Sequence, residues 1–159
     1  MSDLFHWRRT APWHLGAVDR TDRPRLLEVW EAAVRATHHF LAEEDIQFYR
    51  RMIGEQYFDL VRLTCLRDAE GAVQGFSGTA EDRLEMLFVD PAAHGRGFGK
   101  ALLQDAIERH GVRLVDVNEQ NREALGFYIS QGFERIGRSP LDGADRPFPL
   151  LHLRLRQSA

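Results

Sequence analysis

From Leu84 to Leu103 the chain reads LEMLFVDPAAHGRGFGKALL, and no other segment constrains the fold as tightly. An apolar run suited to a strand stops at Pro91. A turn follows with Gly95, Gly97 and Gly99 at alternate positions, and then an amphipathic helix opens. The first turn of a helix leaves backbone N–H groups without intrahelical acceptors and carries the positive end of the macrodipole. Glycines there remove the side chains that would hold an anion away. Strand, glycine turn and helix in this order predict an α/β layer with a phosphorylated ligand resting on the turn. A glycine-rich reversal that binds nothing is the plainer alternative.

Spacing separates the phosphate-binding patterns that compete for this segment. A Walker loop needs a glycine five residues before the Gly-Lys pair and Ser or Thr after it. Position 94 is His, and Gly99-Lys100 is followed by Ala101. A dinucleotide fingerprint needs glycines at first, third and sixth positions. Counting from Gly95 the sixth is Lys100, and from Gly97 it is Leu102. What remains is a strand and proline, then Arg/Gln-x-x-Gly-x-Gly/Ala at a helix start. This resembles the pyrophosphate loop of the GNAT acetyltransferase family, over about Trp13 to Arg156 of the chain. The resemblance implies that His94, Gly95, Arg96, Gly97, Phe98, Gly99 and Lys100 hold the diphosphate of acetyl-CoA. His94 stands where the family usually carries Gln or Arg.

At 159 residues the chain suffices for one domain with one proper core, 43% hydrophobic and 28% charged. A net charge of −3, with arginines spread along the chain, argues against non-specific nucleic-acid binding. No apolar run approaches the roughly 20 residues of a membrane span. Met1 to Pro12 has no apolar signal core and is expected to form an irregular arm, so the cytoplasm is the expected location. Cys65 has no partner for an intramolecular disulfide and reads as a small buried hydrophobe.

The remaining pattern predicts a mixed α/β order. His14 to Val18 reads as a strand, and a helix follows with Asp22 as N-cap, Pro24 in its first turn and Leu26, Leu27, Trp30, Ala33 and Val34 at helical spacing. A second helix is expected over about Glu44 to Ile53. Leu60–Leu66, Ala72–Thr79 and Arg83–Val89 read as antiparallel strands separated by turn formers. After the motif helix come a strand at Val112–Val117, a helix at Asn121–Gln131, and strands at Phe133–Gly137 and Leu150–Leu155. The family resemblance implies a central sheet of six to seven strands, splayed between two parallel strands and flanked by about four helices.

A second constellation supports the first. Val117-Asn118-Glu119-Gln120-Asn121, then Phe127-Tyr128-x-x-x-Gly132-Phe133, is similar to the late region of GNAT proteins. There pantetheine lies between the splayed strands and pairs with exposed backbone, a form of strand addition. The resemblance implies backbone contacts from Leu87, Phe88 and Val89, and a side-chain contact from Asn121. Tyr128 then falls near the thioester sulfur, where a phenol can protonate the departing thiolate. The competing reading makes Tyr128 a core aromatic with a bonded hydroxyl.

A base is also required. An amine of pKa about 10.4 is neutral in only about one molecule in 2,500 at pH 7, a cost of about 4.6 kcal/mol. Glu85 lies four residues before Val89, so strict alternation predicts that it shares a face with Leu87 and Val89. Family members carry a carboxylate there as base, directly or through water; an exposed strand glutamate is the alternative.

Ala36-Thr37-His38-His39-Phe40-Leu41 sits between the first two helices, where GNAT proteins build the acceptor pocket. This run, with Val-Asn-Glu-Gln-Asn, Gly137-Arg138-Ser139, Asp142 and Pro147-x-Pro149-Leu150-Leu151, resembles the YjaB-type bacterial subgroup. Thr37, His38 and Phe40 are thereby implied in acceptor binding, and Ser139, Asp142, Arg146 and His152 in the opposite wall. No ligand spacing around the histidines suggests a metal. The implied activity is direct transfer of an acetyl group from acetyl-CoA to a primary amine, of a protein or a small molecule, without an acetyl-enzyme, since nothing marks Cys65 as activated. A non-catalytic acyl-CoA sensor, a longer acyl donor and an interaction module stay open at this level, as does a homodimer through C-terminal strand edges.

Overall fold

A computed structural model describes residues 13–157, so the expected N-terminal arm lies outside the described residues. The elements in chain order are β1 (Trp13–Ala17), α1 (Arg23–Thr37), α2 (Glu43–Glu55), β2 (Arg62–Asp68), β3 (Val73–Ala80), β4 (Arg83–Val89), α3 (Phe98–His110), β5 (Leu114–Asn118), α4 (Arg122–Ser130), β6 (Phe133–Ser139) and β7 (Leu150–Leu155). The strands form one sheet ordered β1-β2-β3-β4-β5-β7-β6. Only β4 and β5 run parallel, and they pair solely at Arg83–Leu114 and Leu84–Val115. Beyond those two rungs the strands part. The expected splay is present.

Local chemistry sets the element ends. Asp22 precedes α1 and Pro24 occupies its first turn, where a missing N–H costs nothing. Leu26, Val29, Trp30, Ala33 and Val34 then recur at helical spacing and are buried. Asn121 caps α4, its side chain accepting from Ala124 N at 3.2 Å. Gly111 and Gly132 leave their helices at φ of 68° and 98°, a region that favours glycine. Two expected boundaries move. Tyr57–Leu60 forms a 3₁₀ turn before β2, leaving Leu60 exposed. Val112 returns its N–H to Ala106 O at 3.1 Å, closing α3 before β5 begins.

The sheet divides the core. On one face α1 and α2 cover Phe58, Phe76 and Met86. On the other, α3 packs through Leu102 and Leu103, and Tyr128 of α4 meets Val115, Val117 and Phe133. Gly75 makes room for Leu102: a Cβ there would lie 3.1 Å from Leu102 Cδ1. Leu102 has 0% exposure, and Leu102→Ala is expected to lower stability by about 2–5 kcal/mol in chemical denaturation.

Candidate active site

The turn before α3 is built to present backbone. Gly95 and Gly97 have φ of 83° and 77°, and a Cβ on either would meet nothing within 4 Å. Positive φ demands glycine here, and open space lies where a side chain would project. His94 N donates to Pro91 O at 3.2 Å and Ala101 N to Gly97 O at 3.0 Å. Among the described residues, no hydrogen bond uses the six N–H groups between them. These donors point from a helix start with no protein acceptor, the condition that favours an anion.

The amides open on a cavity of about 330 Å³ lined by Leu87, Phe88, Val89, His94, Gly95, Gly97, Phe98, Gly99, Lys100, Asn121 and Tyr128. The structure thus gathers the residues implied in donor binding, with Arg96 standing outside the lining and its guanidinium 6.0 Å from the Phe98 ring. Asp90 N donates to Gln74 O at 2.8 Å, which sets the phase of the β3–β4 ladder. In an antiparallel ladder alternate amides then face the partner, so those of Leu87 and Val89 turn toward the gap beside β5. Asn121, whose side-chain carbonyl serves the helix cap, lines the same cavity. The Tyr128 ring is buried, its hydroxyl has no protein partner among the described residues, and burial pushes its pKa upward.

A second cavity of about 500 Å³ lies on the α1–α2 side. His38 and Phe88 line both cavities, so the two meet there. Its walls are Trp30, Tyr49, Tyr57, Met86, Phe148 and Leu150, with Glu85, Asp116 and Asp142 as the carboxylates. Burial holds the His38 ring neutral, lowering its pKa to about 4 against the opposing pull of a hydrogen bond to the Asn118 side chain. Its Nδ1 lies 2.7 Å from Thr37 Oγ1.

The implied base and two implied acceptor contacts sit otherwise than expected. Strict alternation put Glu85 with Leu87 and Val89, but the ladder shifts register where Gly78 pairs with Met86 and Thr79 with Leu84. Glu85 is the extra residue of that bulge, which re-aims its side chain. It joins Met86 and Phe88 in the larger cavity, while Leu87 and Val89 line the smaller one. Burial raises the Glu85 pKa above its ordinary value, with the Arg83 charge opposing and Asp116 reinforcing. Thr37 lines the donor cavity, its hydroxyl also 2.8 Å from Ala33 O. Phe40 lines neither cavity and instead backs His38 and Phe148 at ring distances of 5.3 and 5.8 Å.

The loop between β6 and β7 closes the far wall. Asp142 accepts from Ala144 N at 2.9 Å and Arg146 N at 3.0 Å, and also from the Tyr49 hydroxyl. Arg146 reaches Asp45 at 2.8 Å and stacks 3.7 Å over the Phe48 ring, pinning the loop to α2. Asp116, Asn118, Tyr49 and Phe148 were not singled out for the site from sequence. The one legible sign was an acid, Asp116, between two valines in an apolar strand. Among the described residues no cluster of His, Cys, Asp or Glu has the geometry of a metal site.

Residues 59–135 match the acetyltransferase (GNAT) domain family. The chain is also 33% identical over 129 residues to the peptidyl-lysine N-acetyltransferase YjaB of Salmonella typhimurium, covering 81% of this chain and 88% of that protein. The chain belongs to the GNAT acetyltransferases. Within that family the solution structure of apo YjaB from Escherichia coli superposes with a TM-score of 0.82 at 28% identity, covering 92% of this chain and 99% of the other. PaiA N-acetyltransferase from Thermoplasma acidophilum, crystallised with coenzyme A, shares the GNAT fold at a TM-score of 0.72 and 19% identity, over 92% of this chain and all of that one. This GNAT protein is an acetyl-CoA-dependent N-acetyltransferase. No helix among its described residues is long and apolar enough to cross a membrane.

Proposed function

We propose that this GNAT protein acetylates the ε-amine of lysine side chains, using the smaller cavity for acetyl-CoA and the larger one for the acceptor. One observation carries the reading: a row of amides without acceptors among the described residues borders a cavity that meets, at His38 and Phe88, a second cavity bearing aromatic walls and carboxylates. An apolar sleeve with acidic groups suits an alkyl chain ending in an ammonium. The relative named peptidyl-lysine N-acetyltransferase YjaB supports the same acceptor class.

The fit to the donor rests on the amides of residues 95–100, with glycine openings where a diphosphate would approach. Acetyl-CoA supplies the activated acetyl group. Leu87 and Val89 present amides that stabilise negative charge on the carbonyl oxygen. Glu85, directly or through water, takes the proton of the incoming ammonium. Tyr128 donates its phenolic proton to the departing sulfur; its raised pKa keeps it protonated throughout the neutral range. His38, neutral at physiological pH, lines the junction without repelling the cationic acceptor. We place the reaction in the cytoplasm, in keeping with a lone, buried, unpaired Cys65.

The test is mass spectrometry of lysine peptides incubated with the protein and acetyl-CoA, where one added acetyl group per reacting lysine is expected. Donor binding with no acetylation of peptides or of a broad amine panel would favour a sensor instead. Glu85→Gln is expected to lower kcat at neutral pH by roughly 10-fold to 100-fold, toward the low end for a positioned base because water remains. A base works ionised, so kcat at saturating acceptor falls as pH drops through the Glu85 pKa, which lies above the ordinary carboxylate value. That limb disappears in the variant.

A further inference from the structure

We infer that Asp116 docks the charged head of the acceptor, and that His152, seated behind it, is a positioning residue that sets the strength of docking. The inference rests on the larger cavity being the acceptor site. Asp116 stands between Val115 and Val117, both buried against α4, so strand alternation turns its carboxylate to the opposite face. There it lines the larger cavity. One oxygen faces Arg83 Nη1 at 3.0 Å, and the other faces His152 Nδ1 at 2.6 Å. On its far side His152 Nε2 lies 2.6 Å from Ser139 Oγ.

The imidazole has a built seat. The β6–β7 ladder shifts register between Arg135 and Gly137, which brings Gly137 opposite His152. A Cβ on Gly137 would sit 3.4 Å from His152 Cδ2, so the ring lies close against this stretch of β6. Four strands contribute: β4 through Arg83, β5 through Asp116, β6 through Gly137 and Ser139, and β7 through His152.

This seat accepts either charge state without moving a heavy atom. A neutral ring donates from Nδ1 to Asp116 and accepts the Ser139 hydroxyl at Nε2. A protonated ring donates at both nitrogens, and the Ser139 hydroxyl rotates to accept. The charge on the cavity wall is what changes. With a neutral ring, Glu85 and Asp116 outweigh Arg83, which lies 3.9 Å from Glu85. With a charged ring, the imidazolium offsets the remaining negative charge. Of the other charges on these strands, Arg154, two residues along β7, lies 3.7 Å from Glu134 of β6, which Arg156 also approaches at 3.3 Å. Across the cavity Asp142 is held by Tyr49.

Imidazole is the side chain that changes charge between about pH 5 and 8, while an alkyl ammonium stays charged throughout. Protonating His152 therefore weakens attraction for the acceptor. Because both groups are about one-third exposed, the effect is moderated by solvent, and about tenfold in acceptor KM is expected.

The test uses the full chain, acetyl-CoA and a lysine-bearing peptide, with initial rates between about pH 5.5 and 8.5. Acceptor KM should rise about tenfold as pH falls across that range. His152→Gln keeps a hydrogen-bonding amide between Asp116 and Ser139 but cannot titrate, so its KM profile should lie flatter than that of the wild type and keep only the rise that protonation of Glu85 adds toward low pH. Asp116→Asn should raise acceptor KM at every pH while the KM for acetyl-CoA stays within about twofold. Should His152→Gln lose its fold by circular dichroism, wild-type calorimetry replaces it, with peptide titrated in two buffers of different ionisation enthalpy. Linkage is reciprocal, so acceptor binding must release protons wherever the ring exchanges its proton. Overlaid KM profiles for wild type and His152→Gln, or calorimetry without proton release, overturn this inference while peptide acetylation persists. No peptide acetylation at any pH overturns the lysine reading and this inference together.

Discussion

Gly97→Glu is expected to abolish donor binding, read as loss of the acetyl-CoA-induced thermal shift and of calorimetric heat. The substitution places a carboxylate where a Cβ meets nothing within 4 Å, beside six amides without acceptors among the described residues. A like charge about 4 Å from a phosphate oxygen costs about 4 kcal/mol at an effective dielectric of 20, roughly three orders of magnitude in Kd. Part of any change comes from the backbone, because Gly97 sits at φ 77° and other residues are strained there. Gly97→Ala carries that strain without the charge. It should cost about 1–2 kcal/mol of folding stability and much less than the glutamate in affinity. Wild-type affinity in the glutamate variant would place the diphosphate elsewhere.

Tyr128→Phe is expected to lower kcat by about 100-fold to 10,000-fold, the usual worth of a positioned general acid. Donor affinity should change by less than about threefold, since the ring still packs between Phe127 and Phe133 at centroid distances of 5.2 and 5.7 Å. Stability should hold, because the hydroxyl lost has no protein partner among the described residues. Burial raises the Tyr128 pKa above its ordinary value, and an acid works protonated. The wild-type rate should therefore show no fall attributable to Tyr128 up to about pH 10. Unchanged turnover in the phenylalanine variant rejects the acid role.

What could be read from the chain follows the range of the forces involved. The glycine turn, the cap at Asn121 and the apolar stripe of α1 are local, and their residues announce them, whereas Asp22 precedes α1 without capping it and accepts from Asp19 N and Arg67 instead. The bulge at Glu85 is not local. Nothing in LEMLFV breaks the period of two, and the extra residue is defined only by the partners Gly78 and Thr79. The acidic pocket was hidden for a similar reason. Asp116 and His152 are separated by 36 positions and meet because β7 inserts between β5 and β6. The wall around Asp142 depends on Asp45 and Arg146, which are 101 positions apart. Family resemblance named Ser139, Asp142, Arg146 and His152, and the geometry then divides them. Asp142 lines the cavity and Arg146 anchors its loop, while Ser139 and His152 stand behind Asp116.

With just two rungs between β4 and β5, the sheet is nearly two ribbons lying side by side. A guest lodged in that seam would act as mortar, tying β1–β4 to β5–β7. Its saturation at a hundred times Kd would add about 2.7 kcal/mol against unfolding. Amide hydrogens flanking the seam should then exchange more slowly in the loaded protein than in the empty one, a signature of donor occupancy that needs no turnover at all.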